Sequence, residues 1–297
     1  MMAEAREATL GVVVGKKGVG KTYTTTDIIK RYAAGGNAMS RPRKVLILDV
    51  NDEFGDVAKP IAVKDISLFT RHPKVEIRRI RPINANGKKM TLNEIADTLF
   101  IILEVYRGGL LLIEDINKYV SDSLPNDLVG AICTNRHADL DIIMHYQSIG
   151  RITPKIWQNI NWLRFHKNTD SVDRHKNKFE DKYHYLSIAE NIVNYRYIQK
   201  EDKRFYLMVS IDDEKISGNF TKLEFTRAAL EYVTTNLSQI LKREMGKFQL
   251  KNNFAKINVE EMRKHIINEE VSKLVKEHST FSTDDIPRFV HESLKLF

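Results

Sequence analysis

Apolar residues along the chain fall into short runs divided by polar, turn-forming stretches, and their spacing switches repeatedly between strand-like and helix-like. Thr9 to Val14 (TLGVVV) is apolar on both faces, as a strand buried on two sides must be, and it runs straight into a glycine-rich segment. From Lys21 a helical pattern with Ile28, Ile29, Tyr32 and Ala33 on one side continues to a stop at Gly35-Gly36. Val45 to Val50 (VLILDV) is a second buried strand, ending in Asn51, Asp52, Glu53 and Gly55. Val75 to Ile80 alternates like a strand. Asn93 to Tyr106 is an amphipathic helix closed by Gly108-Gly109, and the strand Leu110 to Ile113 follows. A helix over Asn126 to Thr134 and strands over Asp141 to Gln147 and Trp162 to His166 complete the alternation.

Buried strands alternating with helices predict an α/β three-layer sandwich, with a mainly parallel sheet covered on both faces and ligands at the strands' carboxyl ends. A strand at Phe205 to Ile211 is expected to close the core. After Gly218 the pattern is helical and more polar, over Thr221 to Met245, Asn258 to Glu277 and Asp284 to Leu296. The expected organisation is therefore a core over residues 1–212 and a small helical appendage over 213–297.

The segment between the first strand and helix is Gly15-Lys16-Lys17-Gly18-Val19-Gly20-Lys21-Thr22, which fits G-x-x-x-x-G-K-[ST] at every fixed position. Glycines let backbone N–H groups wrap a β-phosphate, and the following helix adds a favourable dipole. Lys21 is placed to meet the β- and γ-phosphates of ATP and Thr22 to ligate Mg²⁺. Tyr23 completes the candidate nucleotide-binding stretch. The fold expected is thus that of a P-loop NTPase.

Leu110 to Ile113 ends in Glu114-Asp115, the form of a Walker B strand lying beside the P-loop strand and delivering acids to metal and water. The order is inverted from the usual Asp-Glu. By position Glu114 would hold Mg²⁺ through water, and Asp115 would polarise the attacking water. The strand Asp141 to Gln147 carries a polar residue at its ligand end, and Gln147 there can orient water or read a γ-phosphate. Arg136 and Arg151 are candidates for an arginine that reaches a neighbouring subunit's nucleotide.

Composition sharpens the choice of partner. A net charge of +8 favours polyanions, and the densest basic stretch is Arg71, Lys74, Arg78, Arg79, Arg81, Lys88 and Lys89 against one acid, Glu76. Such a cluster could neutralise DNA phosphates without reading sequence. A second basic stretch, Arg164 to Arg204, interleaves Phe165, Tyr183, Tyr185, Tyr195 and Tyr197 with both signs of charge. The single cysteine, Cys133, excludes an intramolecular disulfide, and no run reaches the roughly 20 apolar residues of a membrane helix. A cytoplasmic protein is expected.

GKKGVGKT, VLILDVNDEFGD, LLLIED and NRHADLDIIMHYQSIGRI together resemble the HerA/FtsK group of P-loop ATPases over about residues 9 to 170, particularly its viral genome-packaging and zonula occludens toxin-like branches. That resemblance implies Mg²⁺-dependent ATP hydrolysis in a homo-oligomeric ring that translocates double-stranded DNA, with a capsid or portal protein as a further partner. It gives Lys21, Thr22, Glu114, Asp115 and Gln147 the roles above and prefers Arg136 as the trans-acting arginine. A ParA/MinD-type dimeric switch is the alternative, since Lys16 sits where that family's signature lysine sits. A nucleotide-binding assembly protein with little turnover is a third.

Overall fold

The structure, a computed structural model, describes residues 7–35, 41–84, 86–119, 126–251, 259–284, 286 and 290. By packing, the chain divides into two units, Met1–Ser171 and Val172–Phe297. The change in composition near residue 212 thus lies inside the second unit, because the helix over 183–199 before it packs with the helix over 222–235 after it, and the strand over 206–210 pairs with that over 215–218.

In the first unit seven strands make one parallel sheet: β1 (Leu10–Val14), β2 (Lys44–Leu48), β3 (Lys59–Pro60), β4 (Ile77–Ile80), β5 (Gly109–Ile113), β6 (Asp141–Tyr146) and β7 (Trp162–His166), in the order β3-β4-β2-β5-β6-β1-β7. Its helices are α1 (Lys21–Ala34), α2 (Ile66–Arg71), α3 (Leu92–Val105), α4 (Asn126–Cys133) and the single turn α5 (Pro154–Trp157). Successive strand residues point to opposite faces. Val13, Val45, Ile47, Leu110, Leu112 and Ile143 gather on one face with Ile29 of α1 and Phe54. Their neighbours Val12, Val14, Leu46, Leu48, Leu111, Ile113, Ile142 and Met144 are equally buried, so both faces are covered, as the continuous apolar runs require. The α/β fold of a P-loop NTPase is therefore present.

Local signals fix the helix ends. Gly35 closes α1 in the left-handed conformation (φ 74°). Thr91 and Glu94 form a reciprocal capping box at the start of α3.

Three features depart from expectation. The acidic strand β5 does not lie beside β1. β6 stands between them, pairing Val14 with Tyr146 on one side and Ile113 with Met144 on the other. Strand β2 stops at Leu48 instead of Val50, because the Asp49 carboxylate turns to accept the N–H groups of Glu53 (2.9 Å) and Phe54 (3.1 Å). Finally, α2 occupies a stretch where no helix was expected.

The second unit contains α6 (Lys176–Phe179), α7 (Tyr183–Gln199), a hairpin of β8 (Tyr206–Ser210) and β9 (Lys215–Gly218), then α8 (Lys222–Thr235), α9 (Leu237–Lys251) and α10 (Val259–His278). Helix α7 and strand β9 were not expected. Tyr185, Leu186, Ile188, Ala189, Ile192 and Val193 of α7 are buried, so the aromatic and basic stretch from 164 to 204 is partly core. The helix expected over Asp284 to Leu296 falls almost wholly outside the described residues.

The basic cluster is largely spent within the fold. Arg79 is buried, bonding the fully buried Asp49 at 2.6 Å and also Asp52. Arg81 reaches Asp52 at 2.8 Å, while Lys74 and Arg78 share Glu76 and draw its carboxyl down to about 2. Arg79 is therefore a buried ion-pair partner and not part of an open basic face. Arg79→Ala should lower the unfolding free energy by about 3–5 kcal/mol, since it strands a buried carboxylate. Urea unfolding of the full chain measures this, and a loss below about 1 kcal/mol would show the pair to be dispensable.

Candidate active site

The glycine-rich loop leaves β1 and is tied to the two neighbouring strands. Gly15 N–H donates to the Tyr146 carbonyl (3.2 Å), and Lys16 N–H to that of Lys167 (2.8 Å). Gly18 and Gly20 adopt φ of 84° and 87°, which turn backbone N–H groups inward and which side chains resist. Val19 is buried and anchors the loop's tip, while Lys17 and Tyr23 are exposed. Lys21 Nζ donates to the carbonyls of Gly15 (2.5 Å) and Lys16 (3.1 Å). Burial holds its ammonium below the ordinary pKa, against the raising pull of Asp115, Glu53 and Glu114. The Thr22 hydroxyl donates to Glu53 Oε2 at 2.9 Å.

Opposite the loop, three strand ends bring acids and amides together. Glu114 is almost fully buried, and Oε2 accepts from the Asn51 backbone N–H at 3.1 Å. Burial pushes its carboxyl up to about 8, with Glu53 and Asp49 adding to the rise and the Asn51 bonds opposing it. Asp115 sits in a left-handed turn (φ 42°). Its Oδ2 accepts from the side-chain amides of Asn51 (3.0 Å) and Gln147 (3.1 Å) and lies 3.0 Å from Lys118 Nζ. Burial pushes this carboxyl up, yet those bonds prevail and leave it below its ordinary pKa. The two adjacent acids are thus driven apart, one holding a proton near neutrality and one ionised. Thr22, Glu53, Glu114 and Asp115 are hard oxygen donors, a set that suits Mg²⁺.

Beneath α1 lies a buried guanidinium. Arg164 donates to the Thr25 hydroxyl and to the Lys21 carbonyl (3.4 Å), and Thr25 also contacts His145 Nε2 at 2.9 Å. Burial, reinforced by Arg164 and Lys21, keeps His145 and His166 uncharged, with His166 pushed down to about 3. The fixed positive charge of Arg164 therefore adds to that of Lys21 where the loop cradles an anion.

The structure brings Lys21, Thr22, Glu114, Asp115 and Gln147 to one sheet edge. Arg136 is elsewhere: it lies in the short turn before β6, at the amino edge of the sheet, 3.7 Å from Glu7. Arg151 follows β6 and so lies at the carboxyl edge, with the loop. Asn51, Glu53, Lys118 and Arg164 enter the site without having been assigned to it. Asn51 and Glu53 were legible only as turn formers after a strand.

Residues 12–108 match the family model of the central domain of the helicase HerA. The matched segment is about a third of the chain. It carries the phosphate loop, α1 and the Asp49-to-Phe54 turn, and it ends one residue before β5. No curated protein matches the chain. Solved structures similar to it include the genome-packaging NTPase of Sulfolobus turreted icosahedral virus 2 with AMP, at 14% identity over 72% of this chain and 98% of that one (TM-score 0.48). The same NTPase with ATP-gammaS gives 15% over 71% and 95% (TM-score 0.47). The N-terminal domain of zonular occludens toxin from Neisseria meningitidis gives 13% over 54% and 76% (TM-score 0.30).

The Glu114 proton supplies a pH test on the site. Held to about pH 8 in the fold against 4.5 for the free side chain, it makes this carboxyl most stabilising below 4.5, and that contribution is lost as pH rises to about 8. In nucleotide- and metal-free buffer, Glu114→Gln should flatten the fall of Tm between about pH 5 and 8. An unchanged slope would place the titration elsewhere.

Proposed function

We propose that the chain is a Mg²⁺-dependent ATPase that translocates double-stranded DNA, packaging it into a viral particle. The hydrogen bonds of Asp115 to Gln147 and Asn51, opposite the phosphate loop, carry the catalytic part of this reading. An ionised carboxylate clamped to a carboxamide is a unit that can accept a proton from water while the amide holds that water in line. Lys21 exchanges the Gly15 and Lys16 carbonyls for β- and γ-phosphate oxygens. Thr22 and Glu114, the latter through water, hold Mg²⁺, with Glu53 beside them. Bound there, the ion offsets phosphate charge and favours the ionised form of Glu114. The match to the HerA central domain and the motif resemblance support DNA as the polymer moved.

DNA contact falls first to Arg71, Lys88 and Lys89, which no acid engages among the described residues, with Lys74, Arg78 and Arg81 contributing beside their own carboxylates. A homo-oligomeric ring is part of the proposal. In it Arg136, remote from its own chain's loop, acts on a neighbour's nucleotide or not at all, and Arg151 is the second candidate. A capsid or portal protein as partner, and a cytoplasmic setting, complete the reading. Among the described residues no helix is long and apolar enough to cross a membrane.

ATP turnover with and without double-stranded DNA at low salt, with Lys21→Ala as the blank and mass measured in parallel, tests the proposal. Several-fold stimulation by DNA with a nucleotide-dependent ring is expected, and Asp115→Asn should cut turnover by about a hundred-fold or more while leaving ATP binding intact. A nucleotide-dependent dimer indifferent to DNA would replace the motor by a ParA/MinD-type switch. Equal, negligible turnover before and after Asp115→Asn would leave a nucleotide-binding assembly protein.

A further inference from the structure

Within the second unit two histidines face each other in a way that imidazoles alone do not favour. His184 is the second residue of α7 and His278 the last of α10, 94 residues apart, yet their Nε2 atoms lie 2.8 Å apart. His278 Nδ1 is 2.7 Å from the backbone carbonyl of Glu214, so Nδ1 carries the proton and Nε2 presents a lone pair. The His184 ring likewise bonds the Asp181 backbone in the sense that favours its protonated nitrogen, and with Nε2 turned on His278 that nitrogen is Nδ1. Two lone pairs then point at one another. A direct histidine–histidine hydrogen bond would require one ring to give up its bond to a carbonyl, or to take a second proton in a largely buried site.

A carboxylate stands beside the pair. Glu214, in the turn between β8 and β9 with φ 54°, offers an oxygen such that it and one nitrogen of each ring all lie within 4.8 Å of one another. Glu277 Oε2 is 3.9 Å from His278 Nε2, and the Tyr185 ring packs 5.2 Å from each imidazole. The charged groups facing the cluster are therefore Glu214, Glu277 and the nearby Asp181, with Lys215 held to the carbonyls of Lys276 (3.1 Å) and Ser279 (3.4 Å).

We infer that His184, His278 and Glu214 form a metal site for a zinc-type divalent cation, which joins the start of α7, the β8–β9 turn and the end of α10. Two neutral imidazoles whose other nitrogens are fixed by backbone carbonyls, plus one carboxylate, make a ligand set of the zinc kind, with backbone bonds in the usual orienting place. Tetrahedral zinc separates two nitrogen ligands by about 3.3 Å, so the rings need part by only about half an ångström. Water or Glu277 supplies the fourth ligand. The site lies in the second unit and shares no residue with the phosphate loop or its acids, so it stands whether or not the chain is a motor.

The test uses the full chain stripped with a chelator, then titrated with Zn²⁺ or Co²⁺ in excess Mg²⁺. One equivalent should bind, Co²⁺ should give the intense ligand-field absorption of a tetrahedral site, and Zn²⁺ should raise Tm. Glu214→Gln, in a turn and thus tolerable to the fold, should weaken Zn²⁺ binding at least about ten-fold, and His278→Ala should abolish the Co²⁺ band. Absence of both the Co²⁺ band and the Tm rise in the unmodified chain would overturn the site. So would Zn²⁺ binding of unchanged strength in Glu214→Gln and His184→Ala together.

Discussion

Carboxylates at the carboxyl edge of a sheet buried on both faces cannot be left to water, and the architecture of the first unit follows from how each is satisfied. Asp49 is fully buried and is held by Arg79 and by two backbone N–H groups of the turn it creates. Glu114 is nearly as buried, has no basic partner among the described residues, and keeps a proton instead. Asp115, one residue on, has three donors and stays ionised. Asn51 links the last two, giving its backbone N–H to one acid and its side-chain amide to the other.

The position of β6 makes this arrangement possible. Standing between the loop strand and the acidic strand, it delivers Gln147 to the Asp115 carboxylate. Two sequence features that had separate readings, the acidic ending LLLIED and the glutamine ending of the next strand, are thus one hydrogen-bonded unit. A switch of the ParA/MinD type accounts for neither.

The elements most legible in the sequence were those fixed by local signals. These include the two-faced apolar strands β1, β2, β5, β6 and β7, the glycine loop, the α1 stop at Gly35 and the Thr91–Glu94 box. What escaped is what depends on contacts distant in sequence. The order of strands in a parallel sheet leaves no mark on any one strand. Arg79 reads as one more surface cation until Asp49, thirty residues earlier, is seen to bury beside it. Helix α7 was obscured because its buried tyrosines sit among charges that pair within the fold, as Arg196 does with Glu224. Arg164 lay in a strand whose other members, His166 apart, are apolar, and nothing local distinguishes a buried guanidinium from one at a strand's open face.

The Lys21 ammonium, bound to the Gly15 and Lys16 carbonyls, bears on the thermodynamics of ligand entry. A loop that had to be ordered by its ligand would lose conformational entropy at the moment of association. Here that entropy is already lost in the fold: the lysine bridges the start of the loop to its end, and the strands on either side hold the backbone. Association becomes a swap of one set of oxygen acceptors for another around a fixed cation, with little change in heat capacity from the loop itself. The affinity is then governed by how much better an anionic oxygen satisfies that cation than an amide carbonyl does, a difference that depends on charge and is sensitive to ionic strength.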